Sequence, residues 1–168
     1  MLEYEQNHRC IIIHPNLSAK KKEYHQIWRT PDSQLLECKK LAISIKLQVI
    51  KSIIINVKSL RPASFFGRGS TTQINEILKN ENFKIHDEPD LLNVSQLIVI
   101  VNASLTPIQQ RNLERKWKEK VIDRTGLILE IFGARARTKE GRLQVELAAL
   151  TYQHSRLVRS WTHLERQR

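Results

Sequence analysis

Apolar positions along the chain fall into two rhythms, and the alternation between them predicts the fold. Short β-branched runs mark strands. Arg9 to His14 is apolar, β-branched and ended by Pro15, and Gln48 to Ser59 carries Val49, Ile50, Ile53, Ile54, Ile55 and Val57. Gln96 to Val101 is apolar throughout, as expected of a central strand covered on both faces. Val121-Ile122 makes a short last strand, broken at Gly126.

Helical spacing fills the intervals. Thr30-Pro31-Asp32-Ser33 is a start signal, with a Thr cap and proline at the first helical position, where no amide is wasted. Leu35, Cys38, Ala42 and Ile45 then form one stripe over about Asp32 to Lys46. A second helix spans about Thr71 to Lys79 with Ile74, Ile77 and Leu78 inward, and Asn80 to Leu92 reads as a polar connection. Thr106-Pro107-Ile108-Gln109 matches the capping box and opens a helix to about Lys118. A short helix follows from Leu127 to about Arg135. Asn16 to Trp28, with Lys20-Lys21-Lys22, reads as a solvated loop. The expected class is α/β: an open, mostly parallel four-stranded sheet with helices on both faces.

The last segment differs in kind. Leu143, Leu147, Leu150, His154, Leu157, Trp161 and Leu164 are spaced 4, 3, 4, 3, 4, 3, an a/d heptad seam. A helix over about Lys139 to Glu165 would be ~40 Å long and would leave the α/β body. The expected organisation is an α/β domain over 1–125 and the start of a helical, coiled-coil subdomain over 126–168. Each fully buried Leu is worth roughly 1.5–3 kcal/mol, so the seam requires a partner. That partner is expected downstream of Arg168. The alternatives are a homodimer through Leu143, Leu147, Leu150, Leu157, Trp161 and Leu164, or packing on the chain's own body.

Charge sharpens this reading. The formal net charge of +11 is large for 168 residues and favours a polyanionic partner. Residues 1–105 carry 14 basic and 10 acidic side chains, against 14 and 7 in residues 106–168, so most of the excess sits in the last third. Cys10 and Cys38 show no metal or redox spacing and read as core residues, which fits a reducing, cytoplasmic location. The N-terminal decapeptide has no apolar signal region, and no apolar run approaches the ~18 residues of a membrane span.

Catalytic chemistry is hard to find. None of the glycines Gly67, Gly69, Gly126, Gly133 and Gly141 is followed by Lys and then Ser or Thr, so the Walker A loop that nests a phosphate is missing. No guanine-specifying Asn-Lys-x-Asp and no nucleophile elbow occurs. Gly67-Arg68-Gly69 at a helix start is an anion contact or a tight structural turn. Asp123-Arg124 is expected to close its strand and pair with nearby backbone. No catalytic or metal-binding residue is assigned.

Four stretches resemble one family. Leu105 to Glu114 (LTPIQQRNLE) and Val121 to Phe132 (VIDRTGLILEIF), continuing through Arg135 to Ala148 and Trp161 to Gln167, are similar to the ribosome-associated GTPase family HflX. Phe65-Phe66-Gly67-Arg68-Gly69 fits more loosely, with Ser70 where the family usually has lysine. The resemblance implies an N-terminal α/β domain and the first of two long antiparallel helices, with a GTPase domain after them. It implies GTP and Mg2+ for the full-length protein, none in this chain, and no GTP hydrolysis by this chain alone. It implies the large ribosomal subunit and its RNA as partners, in splitting or rescuing stalled ribosomes. Carried over by residue, it makes Arg135, Arg137, Lys139 and Arg142 in a basic elbow, and Arg159, His163, Arg166 and Arg168 further on, candidates for RNA contact. The other function classes are a stand-alone nucleotide-binding α/β domain and a heptad-driven dimerisation module.

Overall fold

The computed structural model describes residues 8–17, 30–86 and 97–165, and the side chains of these apart from 82–86 and 157–165. The strands are β1 (Arg9–Leu17), β2 (Gln48–Val57), β3 (Ile98–Val101) and β4 (Lys120–Asp123). The helices are α1 (Pro31–Ser44), α2 (Arg68–His86), α3 (Pro107–Trp117), α4 (Arg124–Arg135) and α5 (Lys139–Glu165). The four strands form one sheet in the order β2-β1-β3-β4, and every pairing is parallel. The expected α/β architecture is therefore what the chain adopts.

The strict period of two along β1 and β3 splits the core into two layers. Ile11, Ile13, Val99 and Val101 point to one side, where Ile74 and Leu78 of α2 and Leu113 and Trp117 of α3 cover them. Cys10, Ile12, Ile98 and Ile100 point to the other, against Cys38 and Ala42 of α1 and Leu127 and Ile131 of α4. Burial pushes the Cys10 thiol up to about 12, with Cys38 beside it adding to the effect. Burial also carries Cys38 up to about 11. Both behave as small core residues, as the sequence suggests.

The helix starts form as their residues dictate. The Thr30 hydroxyl accepts from the Ser33 amide at 3.2 Å. At α3 the box is complete: Thr106 Oγ1 accepts from the Gln109 amide at 3.2 Å, and Gln109 Oε1 accepts from the Thr106 amide at 2.9 Å.

Three boundaries depart from expectation. First, Pro15 does not end β1, which runs on to Leu17 beside β2. The carbonyl of Ile13 faces the β3 side, where it accepts from the Asn102 amide at 2.8 Å. Pro15, two residues on, faces the same way but lies past the end of β3, so its missing N–H breaks no ladder bond. Second, α2 does not stop near Lys79 but continues to His86. Glu81 ties the extension to β2 through Lys51 at 3.0 Å, an anchor that apolar periodicity does not register. The rest of the expected connection, 87–92, lies outside the described residues, as does 18–28 of the expected loop, while Asn16 and Leu17 belong to β1. Third, Gly126 breaks nothing. It lies inside α4, because Asp123 ends the strand and caps the helix in a single residue.

Candidate functional site

α5 packs against α4 and α3, and its two faces have different fates. The positions turned to the body are Gly141, Val145, Ala149, Tyr152 and Arg156, all partly buried. Small side chains at the first three allow close approach to α4 and α3, against which α5 packs. The opposite face carries the leucine seam. Leu143, Leu147 and Leu150 are 58, 67 and 56% exposed, so the body does not cover them. His154 is exposed as well. The side chains of Leu157, Trp161 and Leu164 lie outside the described residues.

A single buried carboxylate joins α5 to the sheet. Asp123, 1% exposed, stands where β4 becomes α4. Its Oδ1 accepts from the Gly126 amide at 2.8 Å and from the Tyr152 hydroxyl. Its Oδ2 accepts from the Leu105 amide at 3.1 Å and from Arg156 at 3.1 Å. The Arg156 guanidinium also stacks 3.8 Å from the Tyr152 ring centroid. Burial, then the hydrogen bond to Asp123, raise the Tyr152 phenol well above its ordinary value, so it stays protonated and donates. Gly126 is required here by crowding: a Cβ would meet Ile122 Cγ2 at 2.9 Å and the Tyr152 hydroxyl at 3.2 Å. The expectation that Asp123 closes its strand and pairs with backbone holds. What local reading missed is Tyr152 and Arg156. Their stripe, spaced 4, 4, 3 and 4 from Gly141, is masked by the stronger leucine heptad on the other face.

A second polar cluster fills the crevice between the carboxyl ends of β1 and β3, where the strand order reverses. His14 Nδ1 lies 3.1 Å from Asn102 Nδ2. Asn102 Oδ1 accepts from Arg124 at 2.7 Å, which fixes the amide, so His14 Nδ1 must accept and the imidazole is neutral. Arg124 also pairs with Glu37 at 2.7 Å. Burial, then Arg124, lower the His14 pKa, while Asp32 opposes them. The crevice is thus occupied by the chain's own side chains.

The basic elbow is assembled by the turn between α4 and α5. Arg135 ends α4, Lys139 begins α5, and Arg137 and Arg142 stand between and just after them; all four are exposed. The turn is locally braced: Thr138 Oγ1 accepts from the Gly141 amide at 3.0 Å, and Arg142 donates to the Arg137 carbonyl at 3.4 Å. An open groove lined by Gly133, Ala136, Arg142, Val145, Ala149 and Leu150 runs beside it. The side chains of Arg159 and His163, and all of Arg166 and Arg168, lie outside the described residues. Gly67, Arg68 and Gly69 lie at the start of α2, remote in sequence from the elbow.

Comparison with known proteins places these features. The family model for a GTP-binding GTPase N-terminal region matches residues 32–133, and the one for the middle region matches 135–168. The GTPase HflX of Magnetococcus marinus is 52% identical over 128 residues, covering 76% of this chain and 27% of its own length. The chain belongs to the HflX family of GTPases. The Escherichia coli HflX is 37% identical over 168 residues, 98% of this chain and 34% of that protein. The chain therefore spans about a quarter to a third of the length of these relatives. A solved GTP-binding protein from Sulfolobus solfataricus in complex with GDP superposes with a TM-score of 0.57 over 92% of this chain and 40% of its own, and at 21% identity it shows the fold alone.

GTP is the ligand that the HflX name implies, and the Gly67–Gly69 turn does not have the geometry of a phosphate cradle. Neither Gly67 nor Gly69 has a positive φ, and a Cβ on either would meet nothing within 4 Å. The Gly67 carbonyl is taken by Thr71, from its amide at 3.0 Å and its hydroxyl at 2.7 Å. Among the described residues no group of three or more His, Cys, Asp or Glu could hold a metal ion, and no helix is long and apolar enough to cross a membrane.

The His14 arrangement makes stability depend on pH. Its pKa in the folded chain lies below the unfolded value of ~6.5, so the unfolded state takes up the proton first as pH falls. The contribution is present above about pH 6.5 and lost below it. The urea midpoint should fall between about pH 7.5 and pH 5.5, and His14→Gln, which retains an acceptor and does not titrate, should flatten that fall. Equal slopes for both proteins would show that His14 is not the responsible group.

Proposed function

We propose that this chain is the RNA-facing part of an HflX-type GTP-binding protein, and that it docks on the large ribosomal subunit through the basic elbow. The observation that carries the reading is the exposure of Arg135, Arg137, Lys139 and Arg142 together on one braced turn. Arginine forks there suit phosphate oxygens, whose contacts dominate affinity for RNA. Arg159, His163, Arg166 and Arg168, carried over from the family resemblance, would add to the contact. In this reading the chain hydrolyses no GTP by itself, and the nucleotide and Mg2+ are held elsewhere in the parent protein.

Co-sedimentation with large ribosomal subunits tests this. Binding at low salt should be largely lost by about 0.3 M salt. Arg135→Glu with Arg137→Glu should weaken it by about tenfold or more at low salt. Binding that ignores salt and this pair of substitutions would contradict the reading.

The exposed leucines favour a second element: the seam takes up a helix of matching heptad spacing. If that helix comes from a second copy, light scattering should show dimers that Leu150→Asp abolishes. A monomeric mass for the unaltered chain would leave the seam to a helix of the parent protein.

A further inference from the structure

The loop between β2 and α2 is built with more care than a connection needs. Between Arg61 and Phe66 it is laid along α3 and tied at three levels. Gln109 donates to the Arg61 carbonyl at 2.9 Å, Asn112 donates to the Ala63 carbonyl at 2.7 Å, and the Phe66 ring meets Trp117 at 6.1 Å between centroids. Arg61 and Phe65 also exchange both backbone hydrogen bonds, at 3.1 and 2.9 Å. To close this bridge Phe65 takes a φ of 60°, a left-handed conformation that a bulky residue adopts only when its surroundings compel it. Strain of this kind, held by buried aromatic rings, points to a surface whose shape matters.

That surface is basic. Lys58, Arg61 and Arg68 are exposed along the loop, and no acidic residue occurs between Lys58 and Asn75. On α3, Arg111, Arg115 and Lys116 are exposed beside it. The acid of that helix, Glu114, is turned to β4, where it accepts from the Val121 amide at 3.2 Å. Arg111 and Arg115, one turn apart, stand about 5–6 Å apart at their Cβ atoms.

We infer that this loop and the solvent face of α3 form a second RNA-phosphate contact surface, separate from the elbow. The inference rests on the reading of the chain as an RNA-binding body and adds a site to it. RNA fits better than a lipid surface, because a charged bilayer attracts any basic cluster whatever its geometry, whereas a pinned loop with arginine forks holds a constellation that a phosphate backbone can match.

The test uses the full chain, a fluorescent RNA hairpin, large ribosomal subunits and vesicles of phosphatidylserine and phosphatidylcholine. The triple variant Arg61→Gln, Arg111→Gln, Arg115→Gln is compared with Lys39→Gln, Lys40→Gln, Lys46→Gln, which removes the same charge from exposed positions in and just after α1, on the other side of the sheet. These side chains are exposed, so both triples should melt with the unaltered chain in circular dichroism. The first triple should lose about tenfold or more in RNA affinity, and its plot of log K against log salt should be shallower by roughly 2, as each lost phosphate contact removes ~0.7–0.9. The second should change affinity by less than about threefold. Equal losses for both triples, or loss of vesicle binding with RNA affinity intact, would overturn the inference. Failure of the unaltered chain to bind RNA would remove the underlying reading as well. Loss confined to the elbow variant would remove only this second site.

Discussion

The geometry of this chain hangs on the Asp123 carboxylate. It ends β4, caps α4, holds the amide that precedes α3 and receives two side chains from α5. Four donors around one buried anion offset the cost of taking it out of water. Taking away one partner of such a buried charged pair typically costs about 3–5 kcal/mol, because the other is left uncompensated. Few apolar contacts could replace it, since the α5 face toward the body is Gly141, Val145 and Ala149, whose side chains bury little area. The long helix is thus held at its middle by polar bonds and left free on its leucine face.

This anchoring separates tasks. The two-layer core of the parallel sheet does not extend to α5, so the seam and the basic elbow can be presented outward without weakening the domain. The crevice at the sheet's carboxyl end, where α/β folds commonly take ligands, is closed by His14, Asn102, Arg124 and Glu37. Among the described residues, charge and apolar area lie exposed on α5, the elbow, and the face of α3 with its strapped loop.

Much of this was legible beforehand because its causes are local. Caps at Thr30 and Thr106, β-branched strands, the helical spacing of Leu143, Leu147 and Leu150 and the clustering of Arg135, Arg137, Lys139 and Arg142 all follow from neighbours in sequence. The misreadings share the opposite property. Pro15 is tolerated because β3 ends beside it, and Gly126 sits within a helix because Asp123 caps α4 ahead of it, with Ile122 and Tyr152 leaving no room for a Cβ. The extension of α2 past Lys79 is supported by Lys51, far away in the chain. The Asp123 network was invisible for the same reason: Tyr152 and Arg156 lie 29 and 33 residues from it, on a stripe with little hydrophobic signal.

Hydrogen exchange on the variant Tyr152→Phe with Arg156→Gln tests the role of Asp123 most directly, because the carboxylate keeps its caps on α4 and Leu105 while losing α5. Amides of α5 from about Val145 to Arg156 should lose protection by a large factor, with those of β1 and β3 retaining theirs. Unchanged protection along α5, or an equal loss throughout the sheet, would contradict the account of Asp123 as the joint between body and helix.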